Sequence, residues 1–226
     1  MRRAFGLGIR AGMGLALASG VALAANAPSG AKRFVPEGMQ LQAELSADFT
    51  GDGKPDLAFV AGDDDKRVLQ VLAAFRVDAA QGQAAYEDFE PIDSMALDTT
   101  PLGPASLSVR KGVLIVDDMV GGTTATAATY RYRFDPAEDR MRLIGIDAER
   151  YSRTNSHGGI QLSWNLLTGA HIVQSSRLEE APTQDTGMYR FSRPQKSVVK
   201  IEKVFMDQTP NPDELIDNEI AAAMEE

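Results

Sequence analysis

The chain has no cysteine, only two histidines and a single tryptophan in 226 residues. Without cysteine it can form no disulfide and has no thiol on which to carry a lipid anchor. Export without cysteine fits a bacterial periplasm or secretion better than an animal extracellular space. With His157 and His171 as its whole imidazole supply, metal sites built on several histidines are out of reach. No Walker or Rossmann glycine loop is present, and no Gly-x-Ser-x-Gly elbow that would mark a hydrolase nucleophile. An excess of basic charge is also lacking. Lys and Arg total 23 against 32 Asp and Glu, for a formal charge of −9. That balance argues against nucleic acid and anionic membrane as partners and favours divalent cations.

The apolar run is short. Arg2, Arg3 and Arg10 precede a stretch from Met13 to Ala24 that closes on Ala22, Leu23 and Ala24. A spanning helix needs about 20 apolar residues. A charged start, a shorter apolar stretch and small closing residues instead predict a secretory signal peptide over residues 1–24. The pair Arg2-Arg3 before Ala4 and Phe5 also matches part of the twin-arginine export pattern. Cleavage after Ala24 removes those three arginines and leaves 20 basic residues against 32 acidic ones, a charge of −12. The expected location is periplasmic or secreted, with no membrane anchor left after cleavage. Residues 25–33, small and polar, are expected to form a flexible leader, and residues 34–226 a single β-rich domain.

From Phe34 onward the dominant hydrophobic period is two, punctuated by Gly, Pro, Asp and Asn, which predicts antiparallel strands. Leu57 to Val60 and Val68 to Leu72 flank a turn at Gly62 to Lys66. A second hairpin is expected over Ser106 to Asp118 about the pair Lys111-Gly112. After Gly121-Gly122, a strand to Phe134 places Tyr130, Tyr132 and Phe134 on one face and Arg131 and Arg133 on the other. Asp135 to Asp139 turns it back into Arg140 to Ile146. Further strands are expected at Ile160 to Trp164, His171 to Ser175 and Ser197 to Phe205, with loop over residues 177–194. Asn211, Pro212 and Glu214 form a helix start ahead of Leu215, Ile216 and Ile220. The predicted fold is all-β, about eight to ten strands in an antiparallel sandwich or strongly bent open sheet, with a short C-terminal helix.

The most specific pattern lies between Asp48 and Asp56, read Asp-Phe-Thr-Gly-Asp-Gly-Lys-Pro-Asp. Oxygen-bearing side chains fall at loop positions one, three, five and nine, and glycine at six. Asp48, Thr50, Asp52 and Asp56 would offer side-chain oxygens to calcium, with the backbone carbonyl of Lys54 at position seven. Calcium takes about six to eight oxygen ligands, which such a loop can supply in part. Position twelve is Phe59, where an EF-hand loop carries a bidentate Glu, so an EF-hand is excluded. The alternative is a metal-free Asp/Gly turn, against which stands the mutual repulsion of three carboxylates. Residues 47–60 resemble an FG-GAP or VCBS repeat, the calcium-loop unit of integrin-like propeller domains and of many exported bacterial proteins. The resemblance implies a calcium-ligand role for Asp48, Asp52 and Asp56 and extends it to Thr50. No second copy follows, which argues against a complete propeller. The chain also resembles a group of exported bacterial proteins in Gly121-Gly122, Tyr130 to Phe134, Leu143 to Gly145 and Asn165 to Gly169.

Other constellations are thinner. Ser156-His157-Gly158-Gly159 could form an oxyanion-type loop or leave His157 an exposed bystander. Zinc held by His157, His171 and a carboxylate lacks a short-range ligand spacing. Arg131 and Arg133 could clamp an anion and the tyrosines stack on a sugar, or the arginines could pair with acids and the tyrosines fill the core. Trp164 is expected in the core. The expectation is an exported, non-enzymatic calcium-binding module acting on an envelope protein or glycan. The alternatives are an envelope hydrolase using a carboxylate pair and a subunit that adds a strand to a partner.

Overall fold

The structure, a computed structural model, describes residues 30–80, 82, 84–183 and 187–225. The proposed signal peptide lies outside these residues. Two antiparallel sheets and one C-terminal helix make up the fold, with no closed barrel, as the hydrophobic period of two predicts. The four-stranded sheet runs β1 (Gln40–Ala47), β2 (Asp56–Gly62), β3 (Arg67–Val77), β4 (Tyr86–Ala96) in that order. The larger sheet is built on β5 (Ser106–Arg110), β6 (Val113–Gly121), β7 (Thr124–Asp135), β8 (Arg140–Ser152), β9 (Gly159–Asn165) and β10 (Ala170–Leu178). At its far side β11 (Tyr189–Phe191) and β12 (Gln195–Val198) both pair with β10, while β13 (Val204–Phe205) pairs with β8.

Strand β2 is buried along its whole length, so its two parities serve two cores. Ala58 and Val60 face the main core, where they meet Leu69, Val71, Leu114, Val116, Tyr132 and Leu143 from both sheets. Leu57, Phe59 and Ala61 face a smaller cluster capped by a 3-10 turn, Gly30–Phe34, whose Ala31 is fully buried. This turn overlaps the stretch over residues 25–33 expected as a flexible leader.

The hairpin of β5 and β6 turns through Lys111 and Gly112, at φ 54° and 72°. That left-handed pair suits the right-handed twist of the strands it joins. Tyr130 and Tyr132 are buried on one face of β7, whereas Arg131 on the other face forms a 2.6 Å ion pair with Asp147 of β8. Trp164 is half-buried against the core edge, its indole N–H donating to the Val199 carbonyl at 3.0 Å.

The last expected strand, Ser197 to Phe205, is two strands on different partners, because the chain leaves β10 after Val198 and reaches β8 only at Val204. The expected loop over 177–194 likewise contains the end of β10 and all of β11. With these and β1 and β4, the described residues hold thirteen strands rather than eight to ten.

The helix α1 (Pro212–Glu225) starts as its sequence predicts, with the Asn211 side-chain oxygen accepting from the N–H groups of Asp213 and Glu214. Ile216 anchors it on Ala148 and Ile160. Arg150 of β8 binds Asp213 and Asp217 on α1, each at 2.6 Å. Among the described residues no helix is long and apolar enough to cross a membrane.

Candidate functional site

The loop from Asp48 to Pro55 joins β1 to β2 and is organised by its two terminal carboxylates. Asp56, the first residue of β2, is fully buried. Its Oδ2 accepts from the N–H groups of Phe49 and Thr50 at 2.7 and 2.8 Å, and its Oδ1 from Ala74 of β3 at 3.0 Å. A carboxylate taken out of water is tolerable when such donors replace its hydration. Asp48 closes the other end, accepting from Gly51 N–H at 2.6 Å and Gly53 N–H at 3.0 Å. Gly51 and Gly53 sit at φ 82° and 85°, the left-handed region that favours glycine. Phe49 inserts into the main core and pins the loop's inner side.

Asp52 lies at the exposed tip. Its Oδ1 accepts from Lys54 N–H at 2.8 Å, and its Oδ2 pairs with the Lys54 ammonium. The hydrogen bond from that ammonium is the main cause holding the Asp52 carboxyl below its ordinary range, and the same bond raises Lys54. Thr50 Oγ1 is sealed from solvent and makes no well-formed hydrogen bond, although it lies near enough to Asp52 to add slightly to that downward pull.

Asp48, Thr50, Asp52, Lys54 and Asp56 thus share one short loop, as their spacing requires. Among the described residues no three acidic or histidine side chains draw together as a ready metal-holding group. The chemistry of the donor set nevertheless suits a hard cation. All the donors are oxygens, each Asp48 oxygen retains a lone pair beyond its one N–H bond, and the Thr50 hydroxyl is buried without a partner.

The histidines are accounted for by local packing. His157 Nε2 lies 2.7 Å from the Thr124 hydroxyl, and its Nδ1 lies 2.5 Å from the Gly158 carbonyl. Gly158 has a steric role, since a Cβ there would lie 1.9 Å from the Ser176 carbonyl oxygen. His171 is buried edge-on against Trp164, with Glu219 of α1 at 3.5 Å.

A second feature escapes the sequence. Between the ends of the two sheets, under the Thr209 to Asp213 connection, lies a cavity of about 100 Å³. Leu97, Val120 and Ala128 form apolar wall, Asp98 and Asp213 stand among its polar groups, and Tyr130 lines it. Burial is the main cause raising the Tyr130 phenol far above its ordinary pKa, and the charges of Asp118 and Asp213 add to the rise. These residues are scattered over 117 positions of sequence, from Leu97 to Asp213, so no spacing could announce them. Comparison of the chain with protein-family models, with curated proteins and with solved structures gave no match in any of the three.

Proposed function

We propose that this chain is an exported, non-enzymatic calcium-binding module that acts in the cell envelope by binding a protein or glycan. The observation that carries the calcium part is the Asp48–Asp56 loop. It holds three carboxylates, one sealed hydroxyl without a partner, and two left-handed glycines that shape the turn. Asp48, Thr50, Asp52, the Lys54 carbonyl and Asp56 would hold the ion. Bound calcium would neutralise carboxylates that now lean on loop N–H groups and on Lys54. On this reading the role is structural, since the loop joins β1 to β2 and Asp56 ties it to β3.

The interaction part is supported by the outer margin of the large sheet. Strand β12 is exposed along its whole length, with Val198 71% exposed and Phe191, Val199 and Ile201 open nearby. An edge of this kind is what a strand-adding partner uses.

Thermal unfolding with calcium and with chelator tests the metal. A ligand that binds only the native state adds about 2.7 kcal/mol at 100 times its dissociation constant. The expected result is a melting temperature that climbs with calcium and returns on chelation. An unchanged melting temperature up to millimolar calcium would sink the assignment.

A further inference from the structure

We propose that strand β12 binds an extended acidic peptide segment, which joins the large sheet as its next strand; this rests on the reading of that margin as a strand-adding edge.

The backbone is open at two residues. Strands β11 and β12 both pair with β10 and, among the described residues, with nothing on their other side. Val199 N–H donates to the Gly169 carbonyl at 2.8 Å, which continues the register that sets His171 opposite Ser197 and Val173 opposite Gln195. Bonded residues alternate along an antiparallel pair. Gln195 and Ser197 therefore turn their backbone groups towards β10, while Lys196 and Val198 turn theirs away. Two residues bound this open stretch. Pro194 has no N–H, and Val199 spends its N–H on Gly169 and its carbonyl on the Trp164 indole. Outward N–H and C=O groups at strand spacing are matched by another peptide backbone, not by a sugar or a lipid headgroup.

The side chains set the sign of the partner. From Arg190 to Lys203 five basic residues stand against one acid, Glu202, in a chain of formal charge −9. Arg190 is held by Glu179 and Lys203 by Asp135. Arg193, Lys196 and Lys200 are exposed and, among the described residues, carry no ion pair. Lysine and proline on an edge ordinarily turn other strands away. Here the deterrent has one sign. A second copy of β12 would bring like charges opposite one another, which destabilises a strand pair, whereas an acidic strand meets its complement.

The apolar side chains set the pattern. Phe191, Lys196 and Val198 lie opposite Ser176, Ile172 and Ala170, residues of one parity on β10, so all three share its outer face. Phe191 and Val198 are more than half exposed there, with Ile172 also open. A partner with an acid and an apolar residue two positions apart would set the acid on Lys196 and the apolar side chain on Val198.

Amide chemical shifts of the full chain, titrated with an eight-residue peptide that repeats Thr-Val-Thr-Glu twice, test this edge. Peptides with Gln or Lys in place of Glu, and polygalacturonate, are run beside it. Each titration is made with and without chelator, which keeps the Asp48–Asp56 loop apart. Saturable shifts centred on Lys196 and Val198 are expected in both conditions. Affinity should fall several-fold from Glu to Gln and again from Gln to Lys, and high salt should narrow the differences. Lys196→Gln should shrink the preference for Glu over Gln, and Arg193→Glu with Lys196→Glu, both at exposed positions, should invert the order. Equal binding of the three peptides would overturn the acidic partner and leave the strand-adding edge standing, whereas no shift at Lys196 or Val198 with any peptide would overturn both. Polygalacturonate shifting these amides as far as the Glu peptide does would overturn the proposal in favour of an anionic glycan. Shifts that grow with protein concentration alone would overturn it in favour of a second copy.

Discussion

The Arg67 guanidinium grips the Asp118 carboxylate through two parallel hydrogen bonds, Nη1 to Oδ2 at 2.8 Å and Nη2 to Oδ1 at 2.9 Å. Arg67 opens β3 and Asp118 lies in β6, so this buried fork ties the small sheet to the large one. The side chains are 1% and 5% exposed. Removing one member strands the other charge in the interior, whereas replacing both with apolar groups removes the problem. Asp118→Ala should therefore cost about 3–5 kcal/mol in urea unfolding, and Arg67→Met with Asp118→Leu should recover much of it. A single change costing under about 1 kcal/mol would show that the pair contributes no more than an exposed one.

Asp56 is a backbone organiser before it is anything else. Asp56→Ala leaves the N–H groups of Phe49, Thr50 and Ala74 without their acceptor. At about 1–3 kcal/mol for each buried group left unpaired, a loss of about 3 kcal/mol or more is expected. The loss should be measurable in chelator as well as in calcium. A variant that loses stability only when calcium is present would make the residue a ligand alone.

Thr50 and Lys54 separate metal binding from folding. Thr50→Val keeps the shape and removes a hydroxyl that has no well-formed bond. Its melting temperature in chelator should hold or rise, while the gain on adding calcium shrinks. Lys54→Met removes the ammonium that competes for Asp52, so calcium affinity should rise a few-fold and the Asp52 carboxyl should titrate closer to its ordinary range. Carboxyl chemical shifts followed through a pH titration read the second effect directly.

Alkali should unfold the protein through its buried phenols. Tyr130 and Tyr132 are held above their ordinary value of 10.0, in both cases first by burial. With folded values raised, the unfolded chain loses these protons more readily. The stability tied to them is thus complete below about pH 10 and drains away as pH climbs beyond it. Absorbance near the phenolate band should show two tyrosines ionising only together with loss of the fold. Ionisation of both while far-ultraviolet dichroism stays native would contradict their placement.

Acid acts on a different tie. Asp135 is held below its ordinary value of 3.8, chiefly by the hydrogen bond from Lys203. A depressed carboxyl contributes fully above its unfolded value and loses its contribution as pH falls through the folded one. Lys203→Ala should move the Asp135 midpoint up towards 3.8 and free the segment before β13. An unmoved midpoint would remove Lys203 as the cause.

Much of the fold was legible because burial on one face writes a period of two. Tyr130, Arg131, Tyr132 and Arg133 declare inside and outside by alternation alone. Asn211 and Pro212 declare the helix because capping is local chemistry. Strand β4 was missed for an equally physical reason. It carries Glu87, Asp88, Glu90, Pro91 and Asp93, a composition that reads as loop. It survives as a strand because it lies at the sheet edge, and the register slips between Val71 and Leu72 so that Pro91 falls at the irregularity. Of the candidate loop, the ligand spacing was legible, since it is contained in nine residues. The Asp56 bond to Ala74 was not, because the partner's N–H bears no sequence mark. The cavity around Tyr130 was invisible for the same reason, as its walls meet only after both sheets have paired.

The end of the chain closes what the middle builds. Met206 and Ile216 are both fully buried, Thr209 holds Tyr132, and β13 pairs with β8. The large sheet's core is therefore complete only once the segment from Val204 to Ile216 has docked on it. Detaching that segment would open a hydrophobic seam along β7 and β8, so resistance to limited proteolysis reports its docking.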